Sequence, residues 1–130
     1  VDLSNLSMGS EGHIERSISA KRMESLVTTI VLRRLPFSLM TVERIADALD
    51  NLGFSTRYDL VYLAPDSDFG YACVNFLTAA DAKDFARTLR VSSATTPLRG
   101  CALRPAETQG FVENMLRMKA LLERPEFRAT

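Results

Sequence analysis

The chain has 130 residues, 46% of them apolar and 25% charged, and its 16 basic residues balance its 16 acidic ones. That length supports one domain with its own core, and the composition is that of an ordinary globular chain. Zero net charge excludes a chain-wide basic surface, so any site for nucleic acid has to be a local patch.

Cys73 and Cys101 are too few for a disulfide framework or a four-ligand zinc site, which suggests a reducing, intracellular setting, nuclear or cytoplasmic. No apolar run reaches membrane-spanning length and no signal peptide is visible, so no membrane partner is expected. The first residue is Val1, which fits a piece of a longer protein. The lone His13 has no Cys or second His near it, and neither a metal nor a cofactor is expected.

In chain order, residues 1–27 read as a leader, flexible through Glu11 and weakly amphipathic where Ile14, Ile18, Met23 and Leu26 recur. Thr28 to Leu35 is β-branched and apolar and stops at Pro36, a first strand with Ile30 and Leu32 on one face and Thr29, Val31 and Arg33 on the other. A helix follows from the cap Thr41, with Glu43 in its first turn, Val42, Ile45, Ala46 and Leu49 at helical spacing, and Gly53 after its end near Leu52. Tyr58 to Ala64 is a second strand, ended by Pro65. Alternation puts Tyr58 and Tyr62 on one face of it, and leaves open which face, because Val61 and Leu63 also suit a core.

Asp66-Ser67-Asp68 is a turn. The third strand is Phe69-Gly70-Tyr71-Ala72-Cys73-Val74-Asn75-Phe76. Gly70, Ala72, Val74 and Phe76 suit the core, and Phe69, Tyr71, Cys73 and Asn75 face the other way. Thr78 with Asp81 opens a second helix whose inner stripe is Ala82, Phe85, Ala86 and Leu89. Ser92 to Pro97 is a loop, and Leu98 to Arg104 a last strand stopped by Pro105. The order is β-α-β-β-α-β, an α+β chain of the ferredoxin-like split type, with the first and third strands central and both helices on one face. Beyond it, Gln109 to Leu122 reads as one more helix. Phe111, Val112, Met115, Leu116, Met118, Leu121 and Leu122 make it so apolar that it must dock, across the open sheet face or along an edge. Arg117, Lys119 and Arg124 suit its C-terminal dipole.

The third strand resembles the main contact strand of an RNA-recognition motif: basic residue, Gly, aromatic, Gly or Ala, aromatic, Val, any residue, aromatic. Phe69 stands where the basic residue is usual and Cys73 where the second stacking ring is usual. Three further blocks are similar to the C-terminal RNA-recognition motif of Mei-two-like proteins. Thr28 to Pro36 resembles their Thr-Thr-Val-Met-Ile-Arg-Asn-Ile-Pro, with Arg34 in place of Asn. Tyr58 to Leu63 resembles Tyr-Asp-Phe-x-Tyr-Leu, and Gln109-Gly110 resembles the Gln-Gly opening an extra helix. The segment from Asp66 to Phe69 lacks the longer, partly basic insertion of the family. The resemblance covers roughly Thr28 to Leu122 and, with the reading in chain order, divides the chain into a leader (1–27), an RNA-recognition motif (28–106), an appended helix (107–124) and a tail (125–130). It also implies single-stranded RNA as partner, in a post-transcriptional regulator of meiosis or development.

On that reading Tyr71 is the stacking ring, worth about 1–3 kcal/mol per base. Val31 adds contact area, and Arg33 stacks on a base or meets a phosphate. Arg104 joins Arg33 in a patch, Asn75 reaches a base edge, Cys73 fills space, and Phe69 packs at the strand start or stacks. The alternative is a protein-interaction module that uses the sheet face or the last helix. An enzyme is not expected, for no nucleophile-base pair and no phosphate loop is in view.

Overall fold

The computed structural model describes residues 26–64, 71–91 and 96–124. The leader through residue 25 with His13, the turn at 65–70 with Phe69 and Gly70, residues 92–95 and the tail from 125 lie outside the described residues. The described chain is α+β: a four-stranded antiparallel sheet and three α-helices. The elements are β1 (Thr29–Arg33), α1 (Val42–Asn51), β2 (Tyr58–Ala64), β3 (Tyr71–Phe76), α2 (Ala79–Val91), β4 (Ala102–Pro105) and α3 (Phe111–Leu122). The strands lie in the order β2-β3-β1-β4, so β1 and β3 are central and β2 and β4 are the edges.

Alternation along the central strands divides the sheet into two faces. Ile30, Leu32, Ala72, Val74 and Phe76 are buried against Ile45, Ala48 and Leu49 of α1 and Ala82, Phe85, Ala86 and Leu89 of α2. Phe54, Phe76 and Phe85 meet there at centroid distances of 5.1 to 6.1 Å. The helix starts are fixed locally. Thr41 Oγ1 accepts from the Arg44 amide at 3.1 Å, and Thr78 Oγ1 accepts from the Asp81 amide at 3.0 Å while donating to its carboxylate at 2.9 Å. Arg57 ties β2 to α2 through Asp81 at 2.7 Å and Asp84 at 2.6 Å.

Three expectations are corrected. The last strand does not begin at Leu98: Pro97–Gly100 is a 3-10 turn capped by Thr96, with Leu98 fully buried, and the strand runs Ala102–Pro105. Proline suits the first turn of such a helix, and Pro105 is admitted at the end of a strand because β4 is an edge that needs no further donor. Tyr58 and Tyr62 do not share a face. Tyr58 opposes Phe76 while Leu60 already opposes Asn75, so Asp59 is an extra residue that reverses the alternation. The Tyr58 hydroxyl therefore donates to Asp50 of α1 at 2.8 Å, and Tyr62 looks to the opposite side. Finally, β1 ends at Arg33, because Arg34 turns the chain with a φ of 58°.

A left-handed conformation costs a residue with a full side chain about 1–2 kcal/mol, and asparagine bears it far more readily. Arg34 is exposed and adopts it. Arg34→Asn is therefore expected to stabilise the domain by about 0.5–1 kcal/mol, read as a higher urea midpoint at unchanged slope.

Candidate functional site

The second sheet face carries Val31, Tyr62, Ala64 and Cys73, buried together with Ala106 and flanked by Leu60, Tyr71, Met118 and Leu121. It is not bare. After β4 the chain reverses at Gly110, whose φ of 95° suits glycine, and α3 then crosses the face over β2, with Met118 and Leu121 packed against the strand residues.

A polar network seats the start of α3. Gln109 Oε1 accepts from the amides of Thr28 and Thr29, both at 2.9 Å, and its Nε2 donates to the Thr29 carbonyl at 2.9 Å and the Ala106 carbonyl at 2.8 Å. The Gly110 amide donates to Thr29 Oγ1 at 2.9 Å. Asn114, fully buried, donates to Thr29 Oγ1 and to the carbonyls of Thr108 and Gly110, and accepts from the Tyr62 hydroxyl at 2.9 Å. Burial pushes the Tyr62 phenol well above its ordinary range, so it stays a donor.

What α3 leaves uncovered is a cleft of about 490 Å³ along β3, β1 and β4. Val31, Arg33, Tyr71, Cys73 and Arg104 line it from the sheet, and Arg117 from the helix. Tyr71 is half-buried there. The Arg33 guanidinium carbon lies 5.9 Å from its ring centroid, and Arg117 Nη2 approaches its hydroxyl at 3.4 Å. Arg104 and Arg33 come from neighbouring strands, Arg104 opposite Val31. Two guanidiniums thus flank one aromatic ring, and a third, Arg104, lines the same cleft over an apolar floor, an arrangement that can stack a flat ring and neutralise anions beside it.

Five of the seven residues singled out in the sequence converge on this cleft. Asn75 does not line it. It is 4% exposed, its Oδ1 accepts from the hydroxyls of Thr28 and Thr29 at 2.8 and 2.6 Å, and its Nδ2 donates to Asp59 at 2.8 Å. Phe69 lies outside the described residues. Sequence reasoning missed Asn114, Tyr62 and the inward role of Arg117. The available signal was an asparagine and an arginine three apart, at helical spacing, on a largely apolar helix. Among the described residues no helix is long and apolar enough to cross a membrane. No family model matches the chain, and no curated protein matches it.

Asn114→Ala removes the partner of Tyr62 and of two carbonyls inside the structure, and is expected to cost about 2–3 kcal/mol, measured by urea unfolding. Burial raises both thiols, Cys101 to about 11, which leaves them protonated at pH 8. Native-state alkylation of Cys101 at that pH is expected to run roughly a hundredfold slower than in urea, since the thiolate is the nucleophile.

Proposed function

We propose that the chain is a divergent RNA-recognition motif of the Mei-two-like type, a ferredoxin-like unit with an appended helix, and that it binds single-stranded RNA in the cleft beside α3. The observation that carries the reading is the convergence of Val31, Arg33, Tyr71, Cys73 and Arg104, picked from sequence alone, on one cleft that also receives Arg117. The division of labour follows from the chemistry of the groups. A base stacks on Tyr71 over the floor of Val31 and Cys73. The backbone phosphates meet Arg33, Arg104 and Arg117. Asn75 acts beneath the surface, holding β1 and β3 in register through Thr28, Thr29 and Asp59. Such a unit would serve as the RNA-engaging part of a post-transcriptional or meiotic or developmental regulator.

A second reading has its own observation. Phe111, Val112, Met115, Leu116 and Leu122 stand exposed on α3, which suits a protein-interaction module.

The test is fluorescence anisotropy with labelled single-stranded RNA octamers. Three phosphate contacts on a single strand give a salt slope of about −2, so affinity is expected to fall about 20-fold between 50 and 200 mM salt. Tyr71→Ala is expected to weaken binding about tenfold or more. Salt-independent binding, or binding indifferent to Tyr71→Ala, would favour the protein module.

A further inference from the structure

Among the described residues the cleft has one acidic wall residue, Glu107, which lines it together with Arg33, Arg104 and Arg117. It sits on the turn between β4 and α3, and that turn is pinned on both sides of it. The Ala106 amide donates to the Thr29 carbonyl at 3.0 Å, the Ala106 carbonyl accepts from Gln109 Nε2, and the Thr108 carbonyl accepts from Asn114 Nδ2 at 2.9 Å. Glu107 itself is exposed, and among the described residues it forms no salt bridge. Its backbone position is thus fixed, and its carboxylate, with no ion pair among the described residues, stands open as an acceptor at the rim of a cationic cleft.

Register places it at the far end of the cleft from the stacking ring. Ala106 joins β1 at Thr29, whereas Tyr71 lies by Arg33, four residues along the strand, or about 13 Å at the strand rise. Phosphates are drawn to Arg33, Arg104 and Arg117 and repelled by Glu107, so a ligand lies with its backbone on the arginines and a base edge toward the carboxylate. A carboxylate accepts two parallel hydrogen bonds. Among the four RNA bases only guanine offers two adjacent donors, N1–H and the N2 amino group, on the edge that a single strand leaves free. Adenine and cytosine present an amino group beside a ring acceptor, and uracil one N–H between two carbonyls, and each sets an acceptor against the carboxylate.

We propose that Glu107 makes this cleft select guanine, an inference that rests on the cleft being an RNA site. The test measures the affinity of the full 130-residue chain for r(UUGUU), r(UUAUU), r(UUCUU) and r(UUUUU), and repeats the series with Glu107→Gln and Tyr71→Ala. The guanine pentamer is expected to bind about tenfold tighter than the other three, the discrimination of one bidentate pair. Glu107→Gln is expected to bring the four affinities to within about twofold, because the amide has one acceptor and sets an amino group against the base donors. A guanine preference that survives Glu107→Gln overturns the assignment. Equal binding of all four pentamers, still lost with Tyr71→Ala, overturns the guanine inference and leaves the RNA reading standing. If no pentamer binds at all, the RNA reading fails and the inference falls with it.

Discussion

Asn114 is shielded from solvent, and its amide meets β1, β2 and the turn before α3 at once. The rest of the second face depends on this contact together with the Gln109 and Gly110 bonds beside it, because α3 itself buries little side chain. Asn114 is its only fully buried side chain among the described residues, while Met118 and Leu121 are partly exposed. The network is saturated where it counts. Thr29 Oγ1 donates to Asn75 and accepts from Gly110 and Asn114, and Asn75 Oδ1 accepts from two hydroxyls. A fully satisfied network of this kind rigidifies its surroundings, and a partly satisfied one is costly. The helix is thus fixed at its start by geometry-specific polar bonds, whereas its later turns rest on ordinary apolar contact.

That attachment sets what a ligand can reach. With α3 over β2, what stays open on the sheet face is a strip of β3, β1 and β4 bounded by the helix on one side. The strip gathers three arginines from three elements of a chain whose net charge is zero. Local convergence supplies what the whole-chain balance withholds. Charge here is a property of placement, and the tertiary fold, not the composition, decides it.

Much of the first layer was legible. Strict alternation in Ile30 to Arg33 and in Ala72 to Phe76 assigns both faces correctly, because each strand is buried on its helix side and any slip would expose its apolar set. Thr41 and the Thr78–Asp81 pair mark helix starts through local hydrogen bonds that need no tertiary information. Other features depend on partners far along the chain. Asn114 looked like one polar residue in a greasy helix, since the groups it binds lie up to 85 positions away. Arg117 looked like a dipole partner, and only the crossing of α3 turns it toward Tyr71. Asn75, on the exposed alternation, is closed in by the Thr28 and Thr29 hydroxyls and the Asp59 carboxylate. Gln109-Gly110 was visible as a pair of letters, but its work, clamping the Thr28 and Thr29 amides and reversing the chain, was not.

The extra residue in β2 has a reach beyond the two tyrosines it separates. An outer strand with flat, regular pleating offers its free amides and carbonyls as a template for a neighbouring molecule, and such templates seed aggregates. At Asp59 the outer strand is kinked, and a carboxylate occupies the irregularity, bonded inward to Asn75. With one tyrosine anchored to a helix on each side of the sheet, that border is bent and charged where it would otherwise be straight and sticky. The domain thereby carries its own guard against stacking edge to edge in a crowded solution.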